Sequence, residues 1–179
     1  MFKVTMLDFL TKQAWGTQQG RNAFEKLNNM LADRREFIVE IDMRGIEKID
    51  ASCSREVLAN LVERYRGSKW FFLSHVGSAS IRENIDAAFA RKDMSVILRN
   101  AHGEYEVLGR ELGQHLIETL EVVEREGNAT SRKVCVAIKG LAITACNNRL
   151  KDLSDAGLLA RFEGAAESGG KEFSYVALR

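Results

Sequence analysis

Apolar and polar positions follow different patterns in the two halves of the chain. In residues 1–101, short apolar runs rich in Val, Ile and Phe alternate with longer segments in which apolar residues recur every three or four positions. The short runs predict buried strands, and the longer segments predict amphipathic helices. Strands are predicted at residues 4–10, 37–42, 46–49, 70–73 and 94–98, and helices at residues 20–31, 55–65 and 80–90. Ser80, followed by Glu83, indicates a capping box at the start of the third helix. This alternation is typical of an α/β domain.

The second half predicts helices followed by a hairpin. Apolar residues from Leu108 to Val123 are spaced by three or four, so we expect a long helix over residues 108–126. Further helices are predicted at residues 131–138 and 145–156, and Gly157 supplies the left-handed residue that ends the last one. Strands are predicted at residues 158–163 and 171–178, joined by a glycine-bounded tip at 164–170. This order predicts an α+β winged helix-turn-helix domain.

These patterns divide the chain into an α/β domain over residues 1–101 and the winged domain over residues 109–179. Residues 102–108 are either a linker or a last strand of the first domain. The long predicted helix is either a dimer interface, where Gly109 and Gly113 allow close approach, or the first core helix of the winged domain.

Charge is balanced over the whole chain and uneven locally. Of the 179 residues, 26 are basic and 25 are acidic, which excludes strong non-specific attraction of the whole surface to nucleic acid. Residues 127–151 nevertheless contain basic residues and no acidic residue. No apolar run approaches the ~20 residues of a membrane span, and the first ten residues do not resemble a signal peptide. We therefore expect a cytoplasmic protein with no membrane partner.

The segment from Asn147 to Leu159 contains two leucines three residues apart, followed by an Ala-Gly-Leu step. It resembles the recognition helix and first wing strand of winged helix-turn-helix transcriptional regulators, and residues 173–176 resemble the second wing strand. The resemblance implies double-stranded DNA as ligand and a homodimer on paired half-sites. Asparagine suits an adenine edge, and lysine suits a phosphate or guanine. The candidate DNA-binding residues are Ser131, Arg132, Lys133, Thr144, Asn147, Asn148, Arg149, Lys151 and Lys171. A winged helix that contacts protein is the alternative.

The first half has its own motif, residues 41–54, preceded by Gly16, Gly20, Arg21 and Phe24. It resembles the STAS domain of anti-sigma factor antagonists, and most closely the STAS-like domains of unknown function. In that family the turn reads Asp-Ser-Ser-Gly, and its second serine accepts a phosphate from a kinase-like ATPase. The resemblance implies Ser52, and more weakly Ser54, as phosphorylation or switch residues. From the residues alone, Ser52 is a helix N-cap worth about 1 kcal/mol.

Cys53, in the same turn, is either a redox-active thiol with a depressed pKa or a small packed residue. Cys135 and Cys146 are expected to be packed structural residues, because the cysteine spacing predicts neither a disulfide framework nor a zinc site. The histidines His75, His102 and His115 have no carboxylate or cysteine in helical register. We therefore expect no metal, no cofactor and no catalytic site.

Two functions compete on these observations. The first is a DNA-binding transcriptional regulator whose STAS-like domain receives a protein or ligand signal. The second is an adaptor that binds proteins and not DNA, in a switch of the kinase and anti-sigma-antagonist type. An enzyme is the least favoured class.

Overall fold

The computed structural model describes residues 1–165 and 170–179. The chain divides into two compact units, Met1–Glu111 together with Arg179, and Leu112–Leu178. The prediction of a mixed α/β structure is confirmed. Part of the predicted hairpin tip, residues 166–169 with Glu167, lies outside the described residues. Among the described helices, none has the length and apolar content required to cross a bilayer.

The first unit is built on a five-stranded sheet. Its order is β1-β3-β5-β6-β7, in which the first four strands run parallel and β7 is antiparallel to β6. A second, two-stranded parallel sheet pairs β2 with β4. The strands are β1 Phe2–Thr5, β2 Gln13–Ala14, β3 Ile38–Asp42, β4 Lys48–Ile49, β5 Trp70–Ser74, β6 Ser95–Arg99 and β7 Tyr105–Gly109. Residues 105–109 thus form an edge strand of this sheet.

The helices of this unit are α1 Gly16–Ala32, α2 and α3 Ala79–Ala90. Helix α2 is continuous from an α-helical Ala51–Ser54 through a π-helical Arg55–Ala59 to an α-helical Asn60–Arg64. The apolar helix faces share one core cluster with alternate residues of the sheet, including Val39, Ile41 and Leu73. Gly20 lets α1 approach α2 closely, since a Cβ there would lie 2.7 Å from the Cβ of Glu56.

The second unit consists of three helices and a three-stranded antiparallel sheet of order β8-β10-β9 among the described residues. Its elements are α4 Gln114–Glu126, β8 Asn128–Thr130, α5 Ser131–Ala137, α6 Ile143–Asp155, β9 Leu159–Ala165 and β10 Lys171–Ala177. Strand β10 is central and pairs with both neighbours. Gly157 has φ +86°, the left-handed conformation expected after the last helix.

Several predicted boundaries are wrong. The first strand ends at Thr5 and is followed by a 3-10 turn, Met6–Asp8. The long helix begins at Gln114 and not at residue 108, because Leu108 pairs with Val96 in the sheet. Gly109 therefore lies in β7, and its N–H donates to Asp86 Oδ1 at 2.8 Å. The proposed dimer face, with Gly109 and Gly113 on one helix, does not exist in this form. Strand β8 was not predicted.

Two predicted helix caps are also wrong. The N-cap of α3 is Ser78, whose hydroxyl accepts a hydrogen bond from the Ile81 N–H, and not Ser80. The N-cap of α2 is Asp50 and not Ser52, because the Asp50 carboxylate accepts from the Cys53 N–H at 2.8 Å. The same Oδ1 accepts from the Gly16 N–H at 3.0 Å. One carboxylate oxygen thus accepts hydrogen bonds from backbone N–H groups in the first turns of both α1 and α2.

We expect Asp50→Ala to lower the free energy of unfolding by about 1–3 kcal/mol, because it removes the acceptor of two backbone N–H groups. Ser52→Ala, in the same turn, should change it by less than about 0.5 kcal/mol. Urea denaturation of both variants followed by circular dichroism measures the difference. Equal losses in the two variants would contradict the assignment of Asp50 as the cap.

Candidate functional site

Helix α6 presents a polar face because its apolar face is buried. Cys146, Leu150 and Leu153 are each 0% exposed, as their spacing predicts. Each residue of an α-helix advances about 100° around the axis. Asn148 and Lys151 therefore lie on the side opposite the buried residues, and both are exposed. The outer face of α6 is available to a ligand of the second unit.

A groove of about 500 Å³ lies between this face and the β9–β10 hairpin. From the helices it is lined by Ser131, Arg132, Ile143, Asn147, Asn148 and Lys151. From the strands it is lined by Arg161, Lys171, Glu172, Phe173 and Tyr175. The lining combines amides, cations and aromatic rings, which are the side chains that contact nucleic acid bases and phosphates.

Acidic neighbours compensate two of the groove cations. Lys151 Nζ lies 2.6 Å from Asp155 Oδ2, one helical turn away. Lys171 Nζ lies 2.8 Å from Glu163 Oε1 on the paired strand. The hydrogen bond to Asp155 raises the pKa of Lys151, and that to Glu163 raises the pKa of Lys171. A phosphate must therefore compete with these carboxylates for the two ammonium groups.

Arg161 is held by aromatic stacking. Its guanidinium carbon lies 3.7 Å from the centroid of the Phe173 ring and 6.0 Å from that of Tyr175. Its Nε is buried and has no hydrogen-bond partner among the described residues. Cation–π contact of this kind fixes the plane of a guanidinium without neutralising its charge. Arg161 thus places a positive charge in the groove wall.

The two adjacent asparagines of α6 differ in what they offer a ligand. The Ser131 hydroxyl donates a hydrogen bond to Asn147 Oδ1. This bond occupies the carbonyl of Asn147 and leaves its NH₂ group as a donor. The Asn148 side chain makes no hydrogen bond within the described part of the chain. Asn148 is therefore the amide with both donor and acceptor available for a bidentate contact.

The structure separates the candidate DNA-binding residues into groups. Those that line the groove are Ser131, Arg132, Asn147, Asn148, Lys151 and Lys171. Lys133 and Thr144 are exposed outside the lining. Arg149 turns away, with Nη1 3.3 Å from both the His115 carbonyl and Glu118 Oε2 of α4. Arg149 and Lys151 therefore do not share one face of α6, because residues two apart on a helix point about 200° apart.

Sequence reasoning missed Arg161. In the observed register of the hairpin, Arg161 is directly opposite Tyr175. Cross-strand pairs on one face of a sheet contact each other, and an arginine opposite an aromatic residue is a recognisable pair. Both residues are visible in the sequence, but their pairing depends on the register between β9 and β10. The length of the hairpin tip alone does not determine that register.

The turn before α2 differs from its predicted chemistry. Ser54 is 0% exposed, and its Oγ has no hydrogen-bond partner among the described residues, so no kinase reaches it in the folded chain. Ser52 is half-buried in the first helical turn. Burial, and then the charge of Asp50, raises the pKa of the Cys53 thiol to about 12. The hypothesis of a depressed thiol pKa is therefore wrong, and the packed-residue alternative accounts for Cys53.

A polar cluster lies at the carboxyl ends of β3 and β5. Lys3 Nζ is 2.9 Å from both Glu40 Oε1 and Asp42 Oδ2. His75 Nδ1 is 3.0 Å from Asp42 Oδ1, and its Nε2 is 2.9 Å from Arg44 Nη2. Because the Arg44 guanidinium can only donate, Nε2 accepts and the ring proton is on Nδ1. Nδ1 donates to the Ser74 hydroxyl oxygen at 3.1 Å and faces the Asp42 carboxylate. His75 thus has a carboxylate partner that the sequence did not reveal.

The position of these polar residues at the ends of β3 and β5 could have predicted this cluster. Glu40 and Asp42 are two residues apart and share the sheet face opposite the core. Carboxyl ends of neighbouring parallel strands meet at one edge of the sheet, so the Ser74-His75 step comes beside them. Ser74 Oγ donates to Glu40 Oε1 at 2.6 Å. Reasoning in helical register overlooked this arrangement.

Among the described residues, Glu40, Asp42 and His75 form a group that could hold a metal ion, since one ligand atom from each lies within 4.8 Å of the others. The Lys3 ammonium already lies between the two carboxylates. A divalent ion would have to displace this ammonium and reverse the tautomer of His75. The arrangement is therefore a compensated ion-pair network.

Comparisons with protein-family models, with curated proteins and with solved structures find no match for this chain.

Lys3→Met tests the ion-pair network. Burial alone would raise the pKa of Asp42 and of Glu40, but both pKa values are lowered. For Asp42 the main cause of the lowering is the hydrogen bond from Lys3. For Glu40 the causes are the hydrogen bonds from Ser74 and then from Lys3. A carboxyl group whose folded pKa is depressed stabilises the fold above its unfolded pKa, and this contribution is lost as pH falls through the folded pKa. The melting temperature of Lys3→Met should therefore fall furthest below that of the wild type at neutral pH.

This difference should shrink as pH drops from about 5 to about 2, because the wild type then loses the same ion pairs. Melting curves by circular dichroism across this range measure it. Lys12→Met is the matched control, since Lys12 pairs with Glu47 and both are more than half exposed. A pH-independent difference for Lys3→Met would show that packing of the lysine stem, and not charge, stabilises the edge.

Proposed function

We propose that the chain is a DNA-binding transcriptional regulator. In this proposal the second unit is a winged helix-turn-helix domain, with α5 and α6 as its two-helix motif and the β9–β10 hairpin as its wing. The first unit is a STAS-like domain that receives a protein or ligand signal. The regulator acts in the cytoplasm as a homodimer on paired half-sites, the usual arrangement for such domains.

The groove beside α6 is the observation that carries this proposal. Helix α6 has 13 residues and is about 20 Å long at 1.5 Å per residue. A major groove about 12 Å wide admits one α-helix. Asn148 offers a free amide at the helix surface, and Arg132, Lys151 and Lys171 surround it with cations. Amides that select bases and cations that bind phosphates are thus combined on one surface.

The ion pairs of the groove support selective binding over indiscriminate binding. Contact with phosphate replaces Asp155 at Lys151 and Glu163 at Lys171, so part of the electrostatic gain is spent in breaking existing pairs. Sequence-independent affinity comes mainly from such cation–phosphate contacts. The proposal therefore predicts weak affinity for arbitrary DNA. On a selected site, it predicts that base contacts by Asn148 contribute a larger share of the binding free energy than they would beside unpaired cations.

An adaptor that binds protein is the second candidate function. The observation that favours it is the exposure of apolar side chains on α5 and α6, since Val136 is 79% exposed and Ile143 is 47% exposed. Contiguous exposed apolar surface is typical of protein contacts, whereas single exposed apolar residues are common on any protein surface. An apolar side chain at the start of a recognition helix also suits a thymine methyl group. A phosphate on half-buried Ser52 belongs to this hypothesis as the switch.

Selection of binding sites from random DNA, followed by fluorescence anisotropy at two salt concentrations, tests the proposal. Lys151→Ala should weaken binding to all sequences and lower the salt slope by about 1. Asn148→Ala should cost about 1–3 kcal/mol on the selected site and little on others. Asp155→Asn should tighten binding, because it frees Lys151 from its carboxylate partner.

Lys26→Ala is the charge-matched control, since Lys26 is exposed on α1 outside the groove; it should leave affinity unchanged. If the wild type shows no salt-sensitive binding to any selected or genomic DNA, the regulator proposal is wrong. Equal effects of Lys26→Ala and Lys151→Ala would also contradict it, because binding would then follow net charge and not the groove.

A further inference from the structure

Two thiols of the second unit lie in contact across the turn between α5 and α6. Cys135 Sγ, from α5, is 2.8 Å from Cys146 Sγ, from the fourth residue of α6. Both cysteines are reduced in the structure. Cys135 Sγ also lies 3.2 Å from the carbonyl oxygen of Leu141 in the connecting turn. A disulfide requires two sulfurs about 2.05 Å apart, so less than 1 Å separates this pair from a covalent bond.

The pair is open to solvent on one side only. Cys135 is half-buried, whereas Cys146 is 0% exposed. Cys53, the remaining cysteine of the chain, is fully buried in the first unit. An oxidant from solvent therefore meets Cys135 first, and Cys146 is the thiol positioned to resolve the product.

We propose that Cys135 and Cys146 are a modification site, which hydroperoxides oxidise to a reversible intrachain disulfide that weakens ligand binding by the groove. The regulatory part rests on the proposed DNA-binding function. The thiol–disulfide chemistry does not.

The chemistry proceeds in two balanced steps. Cys135 sulfur attacks the peroxide, an S–O bond forms, the O–O bond breaks, and water or an alcohol leaves. Cys146 sulfur then attacks the sulfenic sulfur of Cys135, the S–S bond forms, the S–O bond breaks, and water leaves. The two thiols together lose two electrons and two protons, and the peroxide is reduced. A dithiol such as dithiothreitol reverses the oxidation by exchange.

The environment of Cys146 affects the second step. Burial, and then the contact with Cys135, raises the pKa of the Cys146 thiol to about 11. The thiolate is the attacking species, so ring closure should quicken as pH rises towards that value.

Closure of the disulfide reaches the groove through the backbone. The new bond removes Cys135 Sγ as the donor to the Leu141 carbonyl, in the turn that leads into α6. Cys146 directly precedes Asn147, whose side-chain Oδ1 accepts a hydrogen bond from the Ser131 hydroxyl at the start of α5. Drawing the two sulfurs together therefore shifts the two helices at the residues that line the groove.

The first experiment measures the chemistry on the full chain. The purified reduced protein is treated with hydrogen peroxide and analysed by mass spectrometry with thiol counting. We expect a loss of two hydrogens, a decrease from three free thiols to one, and a peptide cross-link between Cys135 and Cys146 that dithiothreitol reverses. Absence of this cross-link, or a cross-link through Cys53 or between chains, would overturn the inference.

Matched variants keep the test independent of folding. Cys53→Ala should retain the cross-link, and Cys135→Ser, at the half-buried position, should abolish it. Cys146→Ala is the second variant, because serine at a fully buried site can destabilise the unit. Circular dichroism melting of the reduced forms confirms that each variant is folded. A cross-link that persists in Cys135→Ser would contradict the assignment.

The second experiment compares oxidised and reduced protein for binding to the DNA selected above. We expect at least fivefold weaker binding after oxidation, restored by dithiothreitol, and no such change in Cys135→Ser. Equal affinity in both states would overturn the regulatory part while the groove function stands. If neither state binds DNA, the proposed function fails, and the disulfide is still decided by the mass measurement.

Discussion

In both units, burial of one face of a helix or strand determines which of its side chains stay on the other face, where they can contact ligands. On α6, the buried position of Leu150 turns Asn148 and Lys151 outward, because the helical repeat is 3.6 residues. In β3, the buried position of Ile41 turns Asp42 to the opposite sheet face, because the strand repeat is two residues. The transfer of apolar groups out of water, the dominant favourable contribution to folding, thus also positions both polar sites.

Charge pairing then sets how strongly each site attracts a ligand. At the sheet edge, Lys3 compensates two carboxylates, and the pKa of Asp42 is held below its ordinary value. At the groove, the relation is reversed, since Asp155 and Glu163 compensate cations. Arg161 differs, because aromatic stacking orients it without supplying a counter-charge. A neutral chain can in this way present a local positive charge that does not bind every polyanion.

Features with a local physical cause could be predicted from the sequence, and features that depend on tertiary register could not. The buried face of α6 and the left-handed Gly157 follow from periodicity and from backbone sterics. The start of α4 could not be predicted in this way. Leu108 fits the helical spacing equally well, and only its pairing with Val96 places it in a strand. Capping shows the same limit. Asp50 and Ser52 are both good N-cap residues by type. Asp50 is the cap because the helical backbone conformation begins at the next residue, Ala51.

The Cys135–Cys146 contact shows why such sites escape sequence analysis. The two residues are eleven apart and belong to different helices, so neither helical nor strand periodicity relates them. Their approach is set by the turn between α5 and α6, where Gly140 has φ +82°, a conformation that side chains other than glycine rarely adopt. The packed-residue interpretation of Cys146 is correct for its burial, yet burial against a second thiol differs chemically from burial against a methyl group. A cysteine pair therefore becomes a site through the geometry of a turn that contains neither cysteine.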